Sequence, residues 1–158
     1  QARRRLALIA IMNIQYQNLT RNFESQTIAL LKSGLESHWE RYDESYNPDI
    51  SSLYEYYSDS MLIGIYDGVV VSCGGWKVID ESCVEVVRVS VLNGFQNRGV
   101  GTAMLRQLEW HLRSIGVCNI FLETTSTWTQ VIKFYLKKGY SITHEKNGDT
   151  YFYKALCN

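Results

Sequence analysis

The chain has 158 residues, of which 46% are apolar and 20% charged, with 16 basic side chains against 16 acidic ones. That length suits a single domain able to bury a core, and the composition is that of an ordinary globular protein. The even charge balance lacks the basic excess of a nucleic-acid binder, and one proline with 11 glycines leaves no disordered linker to place.

The chain opens on Gln1-Ala2-Arg3-Arg4-Arg5 and a short apolar run to Met12. The run is at the short limit for a secretory signal, no small-residue cleavage site follows, and it is far too short to span a bilayer. Residues 1–11 are therefore expected to be an N-terminal extension, native or vector-derived, with an extra strand or helix as the alternative, and residues 12–158 the domain, with no membrane association.

From there the pattern predicts a strand over 13–19 and a helix over 22–42, whose apolar stripe is Phe23, Ile28, Leu30, Leu31 and Leu35. A loop follows at 46–49, where Pro48 steers Asn47 away from helical angles, and then a short helix over 50–57. Strands over 61–66 and 69–78 meet at Asp67-Gly68, a strong hairpin signal. Gly74-Gly75 inside the second marks a bulge or a close backbone approach. A valine-rich strand over 84–91 comes next. The helix over 102–115 carries Met104, Leu105, Leu108, Leu112 and Ile115 on one face and closes at Gly116. A strand over 119–123, a helix over 129–138 and a hairpin of 140–144 with 151–156 complete the chain. The order β-α-α-β-β-β-α-β-α-β-β predicts an α/β fold with a mixed, mostly antiparallel sheet flanked by helices.

The four cysteines are Cys73, Cys83, Cys118 and Cys157. None forms a C-x-x-C pair, so no metal site is expected. Three lie in apolar strand-like runs, where a buried free thiol is the ordinary state. Reduced thiols and a cytoplasmic location follow as expectations.

The most informative stretch is Gln96-Asn97-Arg98-Gly99-Val100-Gly101, between the strand over 84–91 and the helix that begins at Thr102. Strand, glycine turn and helix start, in that order, make a cradle for phosphates. The first helical turn offers unpaired N–H groups at the positive end of the dipole, and Arg98 adds a planar cation. By itself this is also a common tight connection. It is not a P-loop, since no Gly-Lys-Ser/Thr follows, and it lacks the third glycine of the dinucleotide fingerprint.

A second motif follows, Phe134-Tyr135-Leu136-Lys137-Lys138-Gly139-Tyr140. Together the two resemble the acetyl-CoA loop and the "F-Y-x-x-x-G-F/Y" element of the GNAT superfamily of N-acetyltransferases. The resemblance covers roughly residues 12–156 and is strongest from Val84 onward. It implies the single-domain acyl-CoA N-acyltransferase fold and acetyl-CoA as acyl donor. The pyrophosphate would lie on Gln96, Asn97, Arg98, Gly99, Val100, Gly101 and Thr102. The pantetheine arm would run along Val89, Ser90 and Val91. Trp128 stands where many relatives carry an asparagine that bonds the pantetheine, so a ring would cover the donor or simply pack there.

Transfer of an acetyl group to nitrogen needs a polarised thioester, an amine that has lost its proton and an acid for the departing thiolate. Tyr135, in the family's Phe-Tyr pair, is the expected acid, since a phenol is protonated at neutral pH; its alternative role is core packing. Glu85 is the expected base. It interrupts the apolar strand Cys83-Val84-Glu85-Val86-Val87, and its place, eleven residues before Gln96, resembles that of the base in the histone acetyltransferase branch. The alternative is a solvent-facing Glu85 or one paired with Arg88, in which case Glu123, at the end of the next strand, is the next candidate base.

Residues 36–59 hold Glu36, Glu40, Asp43, Glu44, Asp49, Glu55 and Asp59 among Trp39, Tyr42, Tyr46, Tyr54, Tyr56 and Tyr57, with Arg41 the one arginine. In the family this region forms the acceptor side of the cleft, and carboxylates with ring faces suit a cationic amine. The expected function is acetyl transfer to a primary amine, on a small cationic molecule, by direct attack in a ternary complex, the protein acting as a monomer or a homodimer. A non-catalytic CoA-binding module and a protein N-terminal or lysine acetyltransferase are the alternatives.

Overall fold

The computed structural model describes Ala2 and residues 13–38 and 42–158. The expected extension over 1–11, Met12, and Trp39, Glu40 and Arg41 of the acidic stretch lie outside the described residues, Ala2 excepted. In chain order the elements are β1 (Gln15–Asn18), α1 (Arg21–Glu36), a 3₁₀ turn (Glu44–Tyr46), α2 (Pro48–Ser51), α3 (Leu53–Tyr57), β2 (Met61–Tyr66), β3 (Val69–Asp80), β4 (Cys83–Val91), α4 (Val100–Ser114), β5 (Asn119–Thr125), α5 (Thr129–Lys137), β6 (Ser141–Lys146) and β7 (Asp149–Ala155). The strands form a seven-stranded sheet in the order β1-β2-β3-β4-β5-β7-β6. β4 and β5 run parallel, whereas β1/β2, β2/β3, β5/β7 and β6/β7 are antiparallel.

The expected order holds, with local corrections. The first helix stops at Glu36 rather than reaching Tyr42. The helix expected over 50–57 is two short ones, and Pro48 opens the first at N1, where its missing N–H is not needed. The irregularity expected at Gly74-Gly75 is a close approach: those glycines keep regular register with Leu62 and Met61, and the register shift falls at Gly64/Ile65 instead.

The chain divides into two compact units. The first comprises residues up to Gly75 together with Arg88–Leu108. Its buried side chains include Leu30 and Leu31 of α1, Ile50, Leu53 and Tyr57, Ile63, Val71, and Met104, Leu105 and Leu108 of α4. Each side chain of this size stabilises the fold by about 1.5–3 kcal/mol on full burial. Gly34, a weak helix former, is explained here. A Cβ at Gly34 would lie 2.7 Å from Ser90 Oγ, so α1 runs tight against β4 at a residue without a side chain.

The second unit comprises Trp76–Val87 and Glu109–Asn158. Ile120 and Leu122 of β5, Phe152 of β7, and Leu112, Tyr135 and Tyr140 are buried in it. Glu109 and Lys154 form a buried ion pair at 2.7 Å, and Lys154 Nζ also donates to the Lys138 carbonyl at 2.8 Å. The neighbouring positions 121, 123, 151 and 153 point to the opposite face of β5 and β7, as the two-residue period requires. There Phe121 is 37% exposed.

One expectation about the cysteines is overturned. Cys118 and Cys157 are disulfide-bonded, with Cα atoms 4.9 Å apart, while Cys73 and Cys83 are free and buried. The pairing brings together residues 39 apart in sequence, outside any spacing motif.

Candidate functional site

β4 leads into the loop 92–99, and α4 starts at Val100. The loop is fixed from both ends. Leu92 N–H donates to the Val71 carbonyl at 2.8 Å, and the Asn93 amide donates to Ser33 Oγ of α1 at 2.8 Å. Asn97 and Gly99 take positive φ, 58° and 84°, which turns the chain sharply into the helix. The first helical bond is Ala103 N–H to the Gly99 carbonyl, at 3.0 Å. The N–H groups of Val100, Gly101 and Thr102 therefore precede the helix ladder and carry the positive end of its dipole. Gln96, Asn97, Arg98 and Gly99 are exposed.

Val100 is different: its side chain is buried with Ile14 and Val71, packed by Val91, Leu92 and Phe95. It can meet a ligand only through its backbone. The loop thus has an apolar underside that holds it and a polar upper side of N–H groups and Arg98, and these fit a pyrophosphate.

Val89, Ser90 and Val91 are the last residues of β4. The register of β4 with β5 covers only Cys83, Glu85 and Val84 between them, against Asn119 to Phe121. Beyond Glu85 no register pair joins β4 to β5 among the described residues.

Arg88, directly before these residues, has φ 55°. Its guanidinium grips Asp49 with two bonds, Nε to Oδ2 at 2.9 Å and Nη2 to Oδ1 at 2.7 Å, and reaches Asn47 Oδ1 at 3.1 Å. Tyr57 donates to Asp49 Oδ2 at 2.6 Å. Burial works to raise the Asp49 pKa, but the bonds from Arg88 and Tyr57 outweigh it and hold the carboxyl below its usual range. Arg88 thus belongs to Asp49, not to Glu85.

Several carboxylates of the 36–59 stretch are used locally. Asp43 accepts from Ser45 N–H at 2.9 Å and from its hydroxyl at 2.6 Å; Ser51 donates to Glu44; Asp49 serves Arg88. Two of the rings already carry a cation of the chain itself, Arg21 over Tyr54 at 4.5 Å and Lys32 over Tyr42 at 5.2 Å. Tyr46, 81% exposed, and Tyr56 remain open.

Glu85, Trp128 and Tyr135 belong to the second unit. Glu85 is half-buried, with Phe121 as register partner. Burial raises its pKa, the charge of Glu123 raises it further, and Lys77 opposes both. Glu123 shares the Phe121 face of β5 and is paired in register with Tyr151. The Tyr151 phenol is held above its ordinary pKa chiefly by its hydrogen bond and proximity to Glu123, and the His144 ring stacks on it at 4.3 Å. From the sequence Glu123 is the next candidate base after Glu85, whereas Tyr151 and His144 of this row are not marked. Alternation along Phe121-Leu122-Glu123 carries the signal, but its partners come from β7 and β6.

Tyr135 lies on α5, 7% exposed, its ring against Phe134, Tyr140 and Phe152 at 5.2–5.7 Å. Burial pushes its pKa up and is the one cause acting on it. The phenol therefore stays protonated over the whole physiological range. Trp128 occupies the N-cap of α5, and its half-buried indole offers no side-chain cap.

Among the described residues no group of His, Cys, Asp and Glu is placed to hold a metal ion, and no helix is long and apolar enough to cross a membrane.

A family model described as the acetyltransferase (GNAT) family matches residues 26–140. The chain belongs to the GNAT family. One curated relative, probable N-acetyltransferase 14 of Xenopus tropicalis, is 29% identical over 102 residues, 61% of this chain and 50% of the relative. The chain thus spans about half the length of the curated relative it matches. The solved GNAT-family acetyltransferase of Staphylococcus aureus Mu50 superposes with a TM-score of 0.81 at 17% identity, covering 91% of this chain and 99% of that one. The PaiA N-acetyltransferase of Thermoplasma acidophilum, solved with coenzyme A, gives 0.76 at 15% identity, with 90% and 98% covered. At these identities the structures speak for a shared GNAT fold.

Proposed function

We propose that residues 12–158 form an acetyl-CoA-dependent N-acetyltransferase domain that acts on a cationic primary amine by direct transfer. The observation that carries this reading is Glu85: a half-buried carboxylate in a valine strand, its pKa raised by burial and by Glu123. A base so tuned takes a proton closer to neutral pH than an exposed glutamate does.

In this reading the N–H groups of residues 97–102 and Arg98 hold the donor's pyrophosphate, and the strand over 89–91 lines its pantetheine arm. The coenzyme A in the PaiA structure supports the choice of donor. Glu85 takes the ammonium proton, directly or through water. The amine nitrogen attacks the thioester carbonyl to give a tetrahedral adduct, which collapses with cleavage of the C–S bond as the nitrogen gives up its second proton to water. Tyr135 supplies the proton to the departing thiolate and regains one from water. A covalent acyl-cysteine route is disfavoured by the thiols themselves. Burial pushes Cys73 up to about 12 and also raises Cys83, and Cys118 is tied to Cys157.

The acceptor's charge is assigned to the face that carries Glu85, Glu123 and Tyr151 rather than to the 36–59 stretch, whose Asp43, Glu44 and Asp49 are already engaged. We also place the domain in the cytoplasm. The free, buried Cys73 and Cys83 are compatible with that, and the Cys118–Cys157 bond, a feature of oxidising compartments, counts against it.

The test is thiol release from acetyl-CoA with a panel of polyamines, monoamines, neutral amines and lysine or N-terminal peptides. Turnover of small cationic amines is expected. Tight CoA binding with no turnover of any acceptor points to a non-catalytic module, and turnover of peptides alone points to a protein acetyltransferase.

A further inference from the structure

Among the described residues four non-glycine positions have positive φ. Asp67, Asn97 and Asn147 lie in turns, where such angles are ordinary; Arg88, at 55°, lies inside β4. A non-glycine residue held in this region costs about 1–3 kcal/mol and persists only when its surroundings enforce it. Here they do so from two sides. The Cys73 thiol donates to the Arg88 carbonyl at 3.3 Å. The guanidinium is gripped by buried Asp49 in fork geometry and by the side chain of buried Asn47, whose own amide donates to the Asp43 carbonyl at 2.8 Å.

The twist falls where the β4–β5 register has ended and the residues assigned to the donor's arm begin. The chain held at the far end of the guanidinium is the segment 43–49. We propose that Arg88 is a positioning residue that fastens the segment 43–51 to the donor strand, so that the peptide groups of residues 88–91 and that segment keep one fixed geometry. This deepens the acetyltransfer reading and rests on it. Stability alone is a weak reason for the arrangement, because a buried ion pair is often no better than packed apolar residues of the same volume. A charge pair that grips a strained backbone position specifies a geometry that apolar packing leaves loose.

The experiment compares Asp49→Asn and Arg88→Lys with Glu109→Gln, which breaks the buried Glu109–Lys154 pair elsewhere in the chain. Steady-state kinetics are taken well below each variant's Tm, and amide hydrogen exchange is followed on the full chain. Misplacing reacting groups by a fraction of an ångström to an ångström lowers kcat by roughly tenfold to a hundredfold. The expectation for Asp49→Asn and Arg88→Lys is a loss in that range, with the KM for acetyl-CoA within about twofold of wild type. Amides of 43–51 and 88–91 should exchange faster together. Glu109→Gln should keep the wild-type kcat and leave those amides alone. Arg88→Lys carries the test if Asp49→Asn fails to fold. Wild-type kcat in the folded variants, or faster exchange confined to 43–51, overturns the proposal. Failure of the acetyltransfer reading looks different: wild-type protein then turns over no amine, and the exchange data alone still decide whether Arg88 joins the two segments.

Discussion

Glu123 stands two residues along β5 from Phe121, the register partner of Glu85, so the two carboxylates share one face of the sheet, and the charge of Glu123 helps keep the Glu85 pKa up. Removing that charge while keeping the shape should lower the Glu85 pKa. For Glu123→Gln the acid limb of kcat should therefore move to lower pH, because the deprotonated base is reached earlier. An unmoved limb would separate Glu123 from the chemistry.

Glu85 also has a stability signature of opposite sense to its catalytic one. A carboxyl whose folded pKa is raised contributes stability below its unfolded pKa and loses it as pH rises through the folded value. At neutral pH the charged Glu85 is thus a burden on the fold. Glu85→Gln should melt no lower than wild type at pH 7, and wild type should close the gap in acid. Thermal melts at pH 4 and pH 7 read this directly.

Asp49 has the reverse sign. Its folded pKa is lowered, so its contribution is present above the unfolded carboxyl value and is lost as pH falls through the folded one. The destabilisation of Asp49→Asn relative to wild type should be largest near neutrality and shrink in acid. A pH-independent difference would mean the Arg88 bonds matter through shape rather than charge.

Tyr135→Phe removes a hydroxyl and keeps a ring packed on Phe134, Tyr140 and Phe152. Stability should be almost unchanged, kcat should fall by roughly 10²-fold or more, and acetyl-CoA affinity should hold. Full activity would make Tyr135 a packing residue, with water as the proton source.

Gly99, at φ 84°, tests the loop. Coenzyme A at a hundred times its Kd should stabilise wild type by about 2.7 kcal/mol, a clear rise in Tm. Gly99→Asp should abolish the rise, since a side chain and a negative charge then occupy the pyrophosphate's place. No rise in wild type at millimolar CoA would remove the donor assignment altogether.

What could be read in the sequence was local. The loop 96–101, α4, α5 and the two hairpins rest on short-range signals, namely glycine positions, amphipathic spacing and turn dipeptides. Glu85 was visible as a charge in an apolar run. The features missed are long-range. Arg88 and Asp49 are 39 residues apart, as are Cys118 and Cys157, and nothing in either local pattern marks a partner. Val100 reads as part of the phosphate cradle, yet its side chain belongs to the core, because one helix residue can face inward while its N–H faces out. The acidic stretch shows the limit of composition. Its charges could be counted, but not that Asp43, Glu44 and Asp49 already had donors.

Glu85 is the proposed base of the acetyl transfer, and the pH dependence of kcat for the best amine, in wild type and Glu85→Gln, tests that most directly. Wild type should show a rate that rises with pH to a plateau, with an apparent pKa above that of an ordinary glutamate. Glu85→Gln, with its fold and CoA affinity intact, should lose roughly 10²-fold or more in kcat and lack that limb. A Glu85→Gln enzyme with wild-type kcat and an unchanged profile would rule out Glu85 as the base and move that role to another residue.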